Sequence, residues 1–215
     1  MSAAPLAPPR PLVAVYADES CLGNGREGSN PGGAAGLVEF TRASGELVRR
    51  DYWIAEPATT NNRMALRSVI EALRFVSAKG RSCDVVFVSD SQYIVKGLKE
   101  WVHGWHARGW RRKTGEIGNL ELWQELVELW GEHRIEPRWV RGHAGHVQNE
   151  YANDLAVRAA TTQTCSGGLV ESGFEAWLAA KRERGKMTGS PLPFPTAEGF
   201  SPARALPRAA TPRPS

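Results

Sequence analysis

The 215-residue chain has little cysteine, no long apolar run and almost no proline across its middle. Its three cysteines, Cys21, Cys83 and Cys165, are too few and too scattered for a disulfide framework or a structural zinc site. No window approaches the roughly 18 consecutive apolar residues of a membrane span, so membrane-spanning readings are excluded. The N-terminus carries several prolines but no basic start followed by an apolar stretch, so no secretory signal is expected. A reducing, cytoplasmic setting is the expectation.

What is present is the composition of a globular protein, with 41% hydrophobic and 23% charged residues. The formal net charge of +4 belongs to one end of the chain. From Lys181 onward there are seven basic and two acidic residues, whereas residues 1–180 hold 20 basic and 21 acidic ones. A nucleic-acid-binding body would therefore need a local basic patch. Proline divides the chain in the same way: four of 14 lie in residues 1–11 and seven in residues 191–215. This predicts a flexible arm at 1–11, one folded domain at 12–163 and an extension at 164–215. The extension is read as a short helix, with Phe174, Trp177 and Leu178 on one side, followed from about residue 187 by a disordered basic, proline-rich tail.

Within the domain, Leu12 to Ala17 is a short β-prone apolar run and reads as a buried strand. Residues 22–33 hold five glycines and form a loop. Two strands follow at about 33–40 and 46–54. Leu66, Val69, Ile70, Leu73 and Val76 then fall at helical spacing. Cys83 to Val88 is a further strand, with helices at about 91–106 and 119–132, the second capped by Asn119. Arg138 to Val140 ends a last strand, and 148–161 reads as a last helix. The order gives an α/β layout, a mixed sheet covered by helices.

Asp18 and Asp90 stand where apolar strands stop, the place where ligands gather in α/β sheets. Either alone reads equally as a turn-forming Asp. The blocks around them carry more. Asp18-Glu19-Ser20-Cys21-Leu22-Gly23-Asn24, Thr59-Thr60-Asn61-Asn62-Arg63-Met64, Ser89-Asp90-Ser91-Gln92-Tyr93, Trp101-Val102-His103-Gly104-Trp105 and Trp139 to His146 together resemble type 1 ribonuclease H. The blocks occur in that family's order and cover roughly residues 12–161.

The resemblance implies a ribonuclease H-like fold with a five-stranded mixed sheet. It also implies an endonuclease that hydrolyses the RNA strand of RNA/DNA hybrids with divalent metal, magnesium or alternatively manganese. Asp18 and Asp90 match two of the family's four carboxylates, and His143 matches a histidine that assists proton movement or product departure. The other two carboxylates are replaced. Ala65 stands where a Glu is expected, and Asn153 stands for the fourth ligand, an amide that can accept a hydrogen bond but adds no charge. Asp154 lies about 100° round its helix from Asn153 and is a poor replacement, while Glu71 lies about 240° round and about 9 Å along a different helix from Ala65 and cannot reach back. Glu19 is the better candidate for the missing ligand: strand alternation points it away from Asp18, but a bulge at the strand's end would redirect it. The plainer reading of Glu19 is a solvated loop glutamate. Zinc is rejected, because His143 and His146 have no third His or Cys at a suitable spacing.

Residues 101–113 hold Arg108, Arg111, Arg112 and Lys113 without an acid, interleaved with Trp101, Trp105 and Trp110. This is the basic patch the charge distribution calls for, and it resembles the family's DNA-gripping protrusion. Its tryptophans also suit inward packing. Asn24, Asn62 and Gln92 match family positions that touch the hybrid's minor groove, and Thr60 one that seats a phosphate. The expected partner is an RNA/DNA hybrid, bound by a monomer. The alternative is a hybrid-binding protein of the same fold with impaired catalysis.

Overall fold

Alternation in Leu12-Val-Ala-Val-Tyr-Ala sends side chains to both faces of a strand, and both faces here are apolar. That pattern suits a central strand covered on each side. A computed structural model describes residues 10–23, 30–78 and 80–205. The central strand, β1, runs from Leu12 to Cys21. It is followed by β2 (Gly32–Thr41), β3 (Leu47–Glu56), α1 (Asn61–Ser77) and β4 (Asp84–Ser89). Next come α2 (Gln92–Lys96), a π-helical turn (Gly97–Trp101), α3 (Val102–Ala107), α4 (Leu120–Glu132) and β5 (Arg134–Trp139). The chain continues with α5 (Val147–Thr162), β6 (Val170–Glu171) and α6 (Phe174–Glu183).

The sheet order is β5-β4-β1-β2-β3-β6, six strands rather than the five expected. β1 pairs antiparallel with β2 and parallel with β4, and β5 continues the parallel side. Val13, Val15 and Ala17 face α1, α4 and the α2–α3 segment. Ala14 and Tyr16 face α5 and α6. Gly97 permits the closest approach on the first face, since a Cβ there would lie 2.0 Å from the Trp123 ring. Asn119 stands at the N-cap of α4 as expected, but in a left-handed conformation (φ 56°) and without a side-chain cap bond. Its carbonyl instead accepts from the Leu122 and Trp123 amides.

The extension holds the expected short helix, α6, but is otherwise where the fold departs most from expectation. Residues 164–183 are part of the fold: β6 pairs with β3, and Phe174 and Leu178 of α6 are buried in the second core cluster. Two polar anchors hold them. Buried Asp51 accepts from the Tyr151 hydroxyl, from Ser172 Oγ at 2.7 Å and from the Gly173 amide at 3.0 Å. Arg49 pairs with buried Glu39 at 2.7 Å and with Glu175, and its guanidinium lies 4.7 Å above the Phe174 ring.

The expected disorder from residue 187 is also corrected as far as residue 205. Met187, Phe194 and Phe200 pack against the second cluster, and the Ala203 amide donates to the Ile135 carbonyl at 2.8 Å. Apolar residues spaced between the prolines supply this packing, and composition averaged over the tail conceals them. β6 thus covers one sheet edge and residues 201–203 cover part of the other, where unpaired strand groups would otherwise face solvent. The expected N-terminal arm, apart from Arg10 and Pro11, and residues 206–215 lie outside the described residues. No helix among the described residues is long and apolar enough to cross a membrane.

Candidate active site

The β1–β4 register runs from Leu12 opposite Asp84 to Tyr16 opposite Val88. Carried two residues on, it sets Asp18 beside Asp90, both on the α5 side of the sheet. The local structure holds each in place. Asp18 is buried; its Oδ1 accepts from the Glu19 amide at 2.7 Å and its Oδ2 from Asn149 Nδ2 at 3.0 Å. Asp90 follows the end of β4, and its carbonyl accepts from Trp139 Nε1 at 3.0 Å. Gly142 lies against its carboxylate, because a Cβ there would sit 2.2 Å from Oδ2. A glycine is required at that close approach.

Glu19 belongs to this group. β1 pairs with β2 through Cys21 with no bulge, so the redirection expected at the strand's end does not occur. Glu19 instead projects from the α1 face, where Val15, Ala17 and Ala65 also lie, and bonds to the Ser91 side chain. Burial and then the Asp18 and Asp90 charges push its carboxyl up to about 8. Asp18 is pushed up to about 7, by burial first and by Asp90 second. Asp90 is raised as well, chiefly by burial, with His143 acting in the opposite direction. Three carboxylates thus share one field, and no Arg or Lys among the described residues forms an ion pair with any of them. Among those residues no three His, Cys, Asp or Glu side chains are already gathered as a ligand cluster.

Ala65 is buried in the first core cluster and offers no donor. Glu71 is held by Arg67 at 3.2 Å and Arg74 at 2.7 Å. Asp154 accepts from Trp177 Nε1 at 2.8 Å and pairs with Lys181 at 2.7 Å, which turns it toward α6. Asn153 is half-buried on α5, with Asn149 and Glu150 four and three residues before it and so on the same helix face. His143 is exposed, in a left-handed conformation (φ 52°), with its Nδ1 3.7 Å from Glu150 Oε2. His146 caps α5 by accepting from the Asn149 amide at 3.3 Å. The sequence reading missed Asn149, Glu150 and Ser91. Their signals are helical spacing from Asn153 and adjacency to Asp90.

The expected grip is spread over a second surface. Thr60 caps α1 by accepting from the Arg63 amide at 3.3 Å, while Asn62 and Gln92 are exposed at the first turns of α1 and α2. Asn24 lies outside the described residues. Trp101 and Trp105 are half-buried; they meet each other at a tilt, and Trp101 meets Tyr93 and Trp105 meets Trp123 edge-on, at ring separations of 5.6–5.9 Å. Beside them is a cleft of about 600 Å³ lined by Asn62, Tyr93, Trp101, Trp105, Arg108 and Arg112. Arg111, Arg112 and Lys113 are exposed at its rim.

The RNase H family model matches residues 10–161. The chain belongs to the RNase H family. It is 44% identical over 151 residues to a ribonuclease H of Herminiimonas arsenicoxydans, covering 70% of this chain and 95% of that protein. It is 41% identical over 149 residues to one of Neisseria gonorrhoeae, covering 69% and 94%. A solved structure described as LC9-RNase H1, a type 1 RNase H with the type 2 active-site motif, superposes with TM-score 0.87 at 60% identity. That likeness covers 98% of this chain and all of the other, so it includes the extension beyond residue 161.

The raised carboxyls make stability depend on pH with a definite sign. At Asp18 and Glu19 the folded state binds more protons than the unfolded state between about pH 4 and 8, so these two of the three raised carboxyls cost stability as pH rises through that window. In chelator, Asp18→Asn should be more stable than the parent at pH 8 and should lose that advantage at pH 5. Denaturant melts of both proteins across that range check this, and parallel curves would contradict it.

Proposed function

We propose that this RNase H family member hydrolyses the RNA strand of RNA/DNA hybrids with a divalent metal, magnesium or manganese. The observation that carries this reading is the Asp18–Glu19–Asp90 group: three carboxylates at adjacent strand ends that no Arg or Lys among the described residues pairs with. Hard oxygen donors short of positive charge suit a hard dication. Asp18, Glu19 and Asp90 would hold it, with Asn153 a neutral, weaker fourth ligand. When bound, the metal supplies charge neutralisation at the scissile phosphate and a more acidic water. Glu19 in place of a Glu at position 65 agrees with the 60%-identical relative's description as a type 1 enzyme with the type 2 motif.

The chain's own residues do the remainder. Asn149 fixes the orientation of Asp18, and the Trp139 indole and the glycine at 142 fix Asp90. His143, exposed and within reach of Glu150, is placed to carry a proton between solvent and the reaction centre. Thr60, Asn62 and Gln92 present a hydroxyl and short amides suited to the 2′-hydroxyls and phosphates of a hybrid. Arg111, Arg112 and Lys113 supply phosphate contacts without sequence preference. The tryptophans between them are mainly the packed floor of that protrusion. A cytoplasmic monomer remains our working reading of its setting.

A labelled-hybrid assay tests the reaction. The parent should cut the RNA strand only with Mg2+ or Mn2+ present, and Asp90→Asn should lose about 100-fold or more of that rate. Cleavage in chelator, or an Asp90→Asn as active as the parent, would contradict the reading. Tight hybrid binding without cleavage would favour the impaired-enzyme alternative. Replacing Arg111, Arg112 and Lys113 together by alanine should reduce the slope of log affinity against log salt by about 2–3. An unchanged slope would remove the patch from the interface.

A further inference from the structure

Gln148 is fully buried in the first turn of α5, yet it belongs to neither the carboxylate group nor the hybrid grip. Both ends of its amide are bonded to a single residue of the C-terminal extension. Nε2 donates to the Leu192 carbonyl at 2.9 Å, and Oε1 accepts from the Leu192 amide at 3.1 Å. Apolar packing alone lets one segment slide on another, whereas two opposed hydrogen bonds to one residue fix position along the helix and rotation about it. The neighbouring chain is seated just as closely. A Cβ at Gly189 would lie 3.1 Å from the Gly145 carbonyl and 3.3 Å from Val147 Cγ2, and Arg182 bonds the Gly189 carbonyl at 3.2 Å. Met187 and Phe194 pack on the cluster that contains Val147 and Tyr151.

The turn held in this way carries the groups that orient the site. Asn149, the next residue, donates to Asp18, and Glu150 after it faces His143. Asn153 follows one turn on. A small rotation of this turn would move all three relative to Asp18 and Asp90.

We propose that residues 187–194 form a strap that positions the first turn of α5 for catalysis, with Gln148 as the positioning residue. The inference rests on the ribonuclease reading of the site and adds to it a part of the chain that lies outside the family match. Leu192 provides a selective probe: it sits between Pro191 and Pro193 and its side chain is 52% exposed. In the full-length protein, Leu192→Pro removes the amide donor to Gln148, while Leu192→Ala keeps it and trims only the exposed side chain.

Leu192→Pro should lower kcat on the hybrid and weaken Mg2+ binding, followed by calorimetry without substrate, each by about tenfold. KM should stay within about twofold, because the grip lies elsewhere. Leu192→Ala should behave as the parent. A folded Leu192→Pro that cleaves and titrates Mg2+ like the parent would overturn the proposal. If that variant does not fold, the parent decides. Coupling is reciprocal, so Mg2+ should slow exchange of the Leu192 amide, and an exchange rate unchanged by Mg2+ would overturn the proposal. If the parent cleaves no hybrid, the ribonuclease reading fails, and the Mg2+ titration and amide exchange still decide this one.

Discussion

Parallel pairing of Leu12–Tyr16 with Asp84–Val88 carries the chain to a point where Asp18 and Asp90 leave adjacent strands on the same face. Everything at the site follows from this juxtaposition of like charges. Burial raises the cost of ionising all three carboxyls; the Asp90 charge raises it further at Asp18, and the Asp18 and Asp90 charges raise it further at Glu19 on the neighbouring face. A group so arranged either keeps protons or takes a cation. The surrounding polar contacts, from Asn149, Ser91 and the Trp139 indole, orient oxygens without neutralising them.

On the proposed reading, the third carboxylate comes from a different place in the fold than the family's glutamate. A Glu on α1 would approach from the helix that covers the Val15–Ala17 face. Here the helix contributes Ala65, small and buried, and the strand contributes Glu19 from the same side. On the proposed reading, this exchange would keep three carboxylates for the metal while drawing two of them from consecutive residues.

Much of this was legible in the sequence. Alternation and helical spacing located the strands and main helices of residues 12–163, although the stretch read as helical at 91–106 is α2, a π-helical turn and α3, and the carboxylates Asp18 and Asp90 were marked by the ends of apolar runs. Glu19 was selected for a reason that does not hold. Reading β1 as ending at Ala17 suggested a bulge, while pairing with β2 keeps the strand regular to Cys21. The site tolerates this because it lies at the strand ends, where side chains from both faces share one field. The extension was read least well. Proline content suggested disorder, but proline fixes φ and lowers the entropy lost on ordering, so Pro191-Leu192-Pro193 makes a strap without needing regular structure. Two of its anchors, Asp51 and Gln148, are buried polar residues whose partners lie 121 and 44 residues away in sequence. No local pattern reports such pairs.

The central claim is that Glu19 replaces the family's missing glutamate as a metal ligand. Calorimetric binding of Mn2+ to the parent, to Glu19→Gln and to Glu19→Gln combined with Ala65→Glu tests it most directly. The account predicts binding at least about tenfold weaker in Glu19→Gln, with hybrid affinity unchanged, and partial recovery when Ala65→Glu is added. A Glu19→Gln protein that titrates Mn2+ as the parent does would contradict it.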